Sequence, residues 1–191
     1  MNGERDAAWV VSGTSAAALR RTADLLTLVR LAVAPALIVT LAAGQLAAAS
    51  ALLAGAWLTD ALDGPAARAA ELPTRLGAFD LAVDTAVGAG ALVGLALAGE
   101  VPAAPAATLL AVLGTGFLVF RNPALSMALQ AVGYASLLWT LWDQSEPAVW
   151  LPLGTAFGLL LVLHRRLFGA VIPGFLGGVA MLPRRRKRFD L

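Results

Sequence analysis

Asp60-Ala-Leu-Asp63-Gly64-Pro-Ala-Ala67-Arg68, then eight residues to Gly77, then Asp80 and Asp84, sets four carboxylates inside or against apolar segments. On the most lenient insertion scale a carboxylate at a bilayer centre costs about 2.5–3.5 kcal/mol, so four together require compensation. Metal ions and an opening to water would supply it. Asp60 and Asp63 stand one helical turn apart and share a face, and Asp80 and Asp84 do the same. Two antiparallel helix ends thus offer four oxygen-donor side chains to one space. Carboxylates without His or Cys select hard cations, Mg²⁺ or Mn²⁺. Gly64 and Ala67 leave room for a bulky ligand to approach the backbone, and Arg68 adds a fixed cation suited to phosphate oxygens.

Outward from this segment the chain belongs in lipid. Of 191 residues 59% are hydrophobic and only 14% charged, and the mean hydropathy is +0.79, which is far from a soluble domain. The expected fold is all-α, a polytopic membrane bundle. At this length it holds one compact unit and no second domain of useful size. The absence of cysteine excludes disulfides, thiolate catalysis and Cys-type zinc sites together.

Runs of about 20 apolar residues predict six spans: 25–43, 46–70, 77–98, 102–120, 122–142 and 149–163. Residues 1–24 read as a cytosolic or interfacial segment with a short helix over Ser15–Asp24, and mixed charges ahead of the first long run argue against a cleaved signal peptide. Residues 25–166 form the six-helix unit. Residues 167–191 read as an interfacial stretch, interrupted by Gly169, Pro173, Gly174, Gly177 and Gly178, and a basic tail whose Arg184-Arg185-Arg186-Lys187-Arg188 run meets anionic lipid. Arginines fall at the N-terminus, in the links after spans two and four (Arg68, Arg75, Arg121) and after span six (Arg165, Arg166), with Arg30 the exception. The opposite links carry no basic residue, so the positive-inside rule puts both termini and the aspartate cluster on the cytosolic side of a cell membrane.

The aspartate segment resembles the signature of the CDP-alcohol phosphotransferases, integral membrane enzymes that make phospholipids from CDP-diacylglycerol or a related CDP-alcohol. The resemblance rests on Asp60-x-x-Asp63-Gly64-x-x-Ala67-Arg68, eight residues, Gly77, and Asp80-x-x-x-Asp84, with the six-span topology extending it over most of the chain. Thr27-Leu-Val-Arg30, with Asp24 where asparagine is usual, resembles the first-span Asn-x-x-Thr-x-x-Arg pattern. The resemblance implies that Asp60, Asp63 and Asp80 hold divalent metal bridging the donor pyrophosphate, and that Asp84 completes a second metal site or serves as general base. It implies further that Gly64, Ala67, Arg68 and Gly77, with Thr27, line the nucleotide site. Two Mg²⁺ or Mn²⁺ ions, a CDP-alcohol lipid, and a small alcohol or lipid acceptor are the implied ligands; nucleic acid is not among them.

Two residues separate Gly77 from Asp80 where the family has three. The deletion is either absorbed where span three begins, or it turns the Asp80–Asp84 pair by about 100° relative to Gly77. A family member that binds without catalysing, and a small cation transporter with an acidic pathway, are the alternatives the residues leave open. Arg75, Arg121, Arg165 and Arg166 lie on the carboxylate side and are candidates for an acceptor phosphate. Thr85, not lysine, follows Asp84, which weighs against a glycerol-phosphate acceptor. Trp139, Trp142 and Trp150 read as an interfacial aromatic belt. Gly114, Gly116, Gly133 and Ser136 allow helices to approach closely, within one chain or across a homodimer.

Overall fold

Backbone groups in lipid must be satisfied within the chain, which leaves helices for spans of this length. The computed structural model describes residues 13–70, 75–144 and 146–181, without the side chains of 13–15, 64–70, 165–167, 170 and 181. Among the described residues it holds helices and no strand. They are α1 (Gly13–Ala42), α2 (Leu46–Ala70), α3 (Asp80–Ala98), α4 (Ala103–Leu109), α5 (Thr115–Phe120), α6 (Pro123–Asp143), α7 (Trp150–Arg166) and α8 (Ile172–Met181). A π turn over Leu110–Gly114 joins α4 to α5 in one continuous span, and the described residues include six helices long and apolar enough to cross a membrane. Arg5 and the Arg184–Arg188 run lie outside the described residues.

The helix expected over Ser15–Asp24 is continuous with the first span, because α1 runs unbroken from Gly13 through Asp24 to Ala42. Ala16, Ala17, Ala18, Leu19, Arg20 and Arg21 are strong helix formers with no glycine or proline among them, so nothing stops the helix. Its 30 residues measure about 45 Å, longer than the roughly 30 Å hydrocarbon core. α2, with 25 residues, also exceeds that core, and its last turns carry Asp60 and Asp63 toward one end of the bundle. α8 has 10 residues, about 15 Å, and is too short to cross. It lies along α6, where Asn122 Nδ2 donates to the Gly178 carbonyl at 2.9 Å.

α1 and α2 are antiparallel neighbours joined by a three-residue link in which Gly44 adopts φ +70°, a left-handed conformation that glycine enters without steric cost. α3 is the central element, packed between α1 and α6. It carries the most buried face in the molecule, through Val83, Val87, Ala91, Leu92 and Leu95. Glycines set how closely it is approached. A methyl at Gly90 would lie 2.6 Å from the Ala34 carbonyl oxygen, and one at Gly94 would lie 2.8 Å from Leu41 Cβ. On the other side Gly88 and Gly133 bring the backbones of α3 and α6 together. Of the small residues noted in the sequence, Gly133 thus serves a close crossing and Gly116 packs against Leu125, whereas a methyl at Gly114 would meet nothing within 4 Å.

α2 also packs against α7, and Ser50 Oγ donates at 2.6 Å to the carbonyl of Ala148 in the turn that precedes α7. The shared core is Val33, Leu37, Leu41, Leu53, Val87 and Leu137 with their neighbours. α5 and α7 leave Leu118, Val119, Phe157 and Val162 exposed, as lipid-facing helices do. Trp139, Trp142 and Trp150 are exposed at the bundle end away from Asp60, and Trp142 meets Trp150 edge to face at 6.1 Å.

Because a β-carbon at Gly90 has backbone for its neighbour, Gly90→Ala is expected to destabilise the bundle by about 1–3 kcal/mol, the usual cost of overpacking. Gly114→Ala, which meets open space, should cause no loss. Thermal unfolding of the detergent-solubilised variants checks this, and equal midpoints would contradict the α1–α3 contact.

Candidate active site

The site is built around a charge that has no place in an apolar helix. Arg30 sits in the middle of α1 with its side chain only 1% exposed. A buried guanidinium is tolerated only when its donors are matched to acceptors, and here the acceptors come from two other helices. Nη1 donates to Asp60 Oδ1 at 2.8 Å and to Asp84 Oδ1; Nη2 donates to Asp63 Oδ2 and to Asp80 Oδ1. The C-terminal turns of α2 and the N-terminal turns of α3 are thereby drawn onto α1. Nε is buried and without a hydrogen-bond partner among the described residues.

The four carboxylates are layered by depth. Asp63 is 10% exposed, Asp84 22%, Asp80 36% and Asp60 44%. Oxygens of Asp60, Asp80 and Asp84 lie within 4.8 Å of one another, while Asp63 sits deeper against Arg30. An all-oxygen set from three carboxylates fits a hard divalent cation, whose bonds of about 2.1 Å require only a small closure of this spacing.

The two residues between Gly77 and Asp80 lead straight into α3. Gly77–Phe79 forms a 3₁₀ turn, and α3 starts at Asp80 itself, whose N–H donates to the Gly77 carbonyl. Leu76 and Phe79 both lie near φ −100° with ψ close to 0°. Asp80 and Asp84 both face Arg30, and Asp84 also faces Asp60 and Asp80. Asp24 holds the link in place: its Oδ1 accepts from the N–H groups of Arg75 and Leu76 at 3.0 and 3.1 Å. A carboxylate performs here what an asparagine carbonyl would.

Behind Asp84 a polar seam joins α3 to α6. Thr85 Oγ1 and Ser126 Oγ are 2.5 Å apart, and Gln130 Nε2 donates to Ser126 Oγ at 2.9 Å. Tyr134, stacked edge to face on Trp57, donates its hydroxyl to the Asp84 carbonyl at 3.4 Å. Such bonds are valuable in an apolar interior because an unmatched hydroxyl there is costly, and they fix the rotation of α3 that turns Asp84 inward.

The remaining expected residues are distributed as follows. Thr27 is buried, donates to the Ala23 carbonyl at 3.2 Å, and faces an apolar cavity of about 230 Å³ with Leu28, Leu31, Leu76, Phe79, Ala82 and Val83. Gly77 opens the 3₁₀ turn. Gly64, Ala67 and Arg68 lie on the last turns of α2, and Arg165 and Arg166 at the end of α7, with side chains outside the described residues. Arg75 and Arg121 are exposed, and Arg121 ends α5 in a left-handed conformation at φ 48°. Arg30, Asp24 and the Thr85–Ser126–Gln130 seam were not among the expected site residues. Arg30 and Asp24 carried a signal in the first-span pattern, Arg30 also as a basic residue inside an apolar run, whereas the contacts of the seam did not.

A family model of the CDP-alcohol phosphatidyltransferases matches residues 20–177. No curated protein and no solved structure matches the chain.

Loss of the Asp24 carboxylate leaves two link amides without their acceptor. In Asp24→Ala the amides of Arg75 and Leu76 should exchange hydrogen at least about tenfold faster, the scale of one lost hydrogen bond of roughly 1.4 kcal/mol, while Asp24→Asn keeps most of the protection. Hydrogen–deuterium exchange across the link measures this.

Proposed function

The chain belongs to the CDP-alcohol phosphatidyltransferase family, which transfers a phospho-alcohol or phosphatidyl group from a CDP-alcohol to an acceptor and releases CMP, and from that premise we propose how its residues divide the work. The donor is CDP-diacylglycerol or a close relative and the product a phospholipid. The single observation that carries this reading is the convergence of Asp60, Asp80 and Asp84 on one small space, with Asp63 behind them.

Asp60, Asp63, Asp80 and Asp84 are the residues that would hold Mg²⁺ or Mn²⁺. Bound there, divalent metal withdraws charge from the pyrophosphate and stabilises the departing CMP. Two ions fit the charge better than one. Four carboxylates with one guanidinium leave three negative charges, so a single divalent ion still leaves a site that repels a pyrophosphate. A second makes it positive.

Asp84 is the proposed general base, near enough to the Asp60 and Asp80 oxygens to serve a hydroxyl brought beside them. It takes the proton of the acceptor hydroxyl as that oxygen bonds to the β-phosphorus. The bond from the β-phosphorus to the bridging oxygen breaks, and CMP carries that oxygen away. The cytidine end is assigned to Gly64, Ala67, Arg68 and Gly77, at the end of α2 and the start of the 3₁₀ turn, with Thr27 nearby on α1. Arg75, Arg121, Arg165 and Arg166 are assigned to the acceptor phosphate, since each stands at a helix end or link on the carboxylate side. Those arginines also support a cytoplasmic orientation of the site in the cell membrane.

Purified protein in nanodiscs, given CDP-diacylglycerol, Mg²⁺ or Mn²⁺ and a panel of alcohols, should release CMP with at least one acceptor; silence across the panel would oppose the reading. Asp84→Asn is expected to leave CDP binding largely intact and to slow CMP release by about 10² or more, the scale of a lost general base. Asp63→Asn, isosteric but one charge poorer at the deepest position, should abolish CMP formation while the protein still inserts. Normal turnover in that variant would remove Asp63 from the metal assignment.

A further inference from the structure

Arg30 touches one oxygen on each of the four carboxylates, and three of those carboxylates are the ones whose oxygens converge within 4.8 Å. A cation in that space and the guanidinium therefore address the same groups. We propose that Arg30 is an internal counter-ion that competes with divalent metal for Asp60, Asp80 and Asp84, so that metal binding loosens the guanidinium's hold on these three.

Asp63 is the most buried of the four, and it shares Nη2 of Arg30 with Asp80, while Asp60 and Asp84 share Nη1. Asp60, Asp80 and Asp84 are more open to an ion arriving from water. Like charges on shared oxygens repel strongly in a partly dry site, whereas a planar guanidinium with its donors in a fork can hold several carboxylates together when no stronger cation is present. The consequence is a positioning residue with two opposed effects. It keeps α1, α2 and α3 assembled in the absence of metal, and it weakens metal affinity, which keeps bound metal exchangeable. This inference rests on the metal assignment made above.

The test uses the full chain in nanodiscs, stripped with chelator and titrated with Mn²⁺ or Mg²⁺ in the absence of donor. Arg30→Gln should lower the thermal midpoint of the stripped protein, and Mn²⁺ should bind it at least about tenfold more tightly and raise its midpoint by more than it does in the parent, because the repelling charge is gone. Adding Asp84→Asn to Arg30→Gln should restore part of the stripped protein's stability by removing a repelling carboxylate. Arg30→Lys should keep an affinity close to the parent's, since the charge remains, but lose midpoint, since a point cation cannot fork among four carboxylates. Folded Arg30→Gln with unchanged or weaker Mn²⁺ binding overturns the proposal.

Should Arg30→Gln fail to fold, the parent decides alone. Infrared difference spectra on adding Mg²⁺ to protein with isotope-labelled arginine must contain guanidinium bands that Arg30→Lys lacks, and their absence despite metal binding overturns it equally. A parent that binds neither ion defeats the metal assignment itself, and this inference with it; metal binding without guanidinium bands defeats this inference alone.

Discussion

A guanidinium 1% exposed in the middle of an apolar helix is the constraint to which the rest of the molecule answers. Taking an arginine out of water costs several kcal/mol, and only well-placed acceptors return it. Asp60 and Asp63 from α2 with Asp80 and Asp84 from α3 provide them. Neither side is tolerable alone, since four carboxylates without a cation repel one another and a cation without carboxylates is stranded. Three helix segments distant in sequence are thus held at one point by charge, and the apolar core below that point is free to be small and close-packed.

That close packing in turn aims the carboxylates. α3 is approached through Gly90 by α1 and through Gly88 by α6, so its rotation is confined from two sides. The Thr85–Ser126–Gln130 seam then adds direction, because hydrogen bonds in a dry interior are lost if the helix turns by even a fraction of the 100° between neighbours. The 3₁₀ turn at Gly77–Phe79, held beside α1 by Asp24, leads directly into α3 and so sets where its first turn begins.

Much of this was legible in the sequence, and for identifiable reasons. Spans of 18–27 residues with high hydropathy announce themselves by length, since lipid imposes both composition and helical form. The pairs Asp60/Asp63 and Asp80/Asp84 follow from helical periodicity alone. Helix over Ser15–Asp24 was legible too, and its continuity with the first span follows from helix propensity that no residue there interrupts. What periodicity does not carry is which faces meet across helices, and so the convergence of all four carboxylates on Arg30, separated from it by 30 to 54 residues, does not follow from spacing, even though Arg30's place in an apolar run was visible. The roles of Gly88, Gly90 and Gly94 were hidden for a related reason: a glycine in an apolar helix looks the same whether it faces lipid, as an exposed one does, or another backbone.

The order of the chain gives Arg30 a history during synthesis. It enters the bilayer with the first span, 30 residues before Asp60 and 54 before Asp84 exist. On insertion scales that lone charge costs about 2.5–3.5 kcal/mol, which a segment of mean hydropathy 2.2 can carry into the membrane. It cannot carry it alone into the final packing. Until the second and third spans supply their acids, the long arginine side chain can meet water only by snorkelling toward the membrane surface. Biogenesis is in this sense a timed neutralisation, and the ribosome's progress from residue 30 to residue 84 is the interval for which the membrane has to tolerate an unanswered charge.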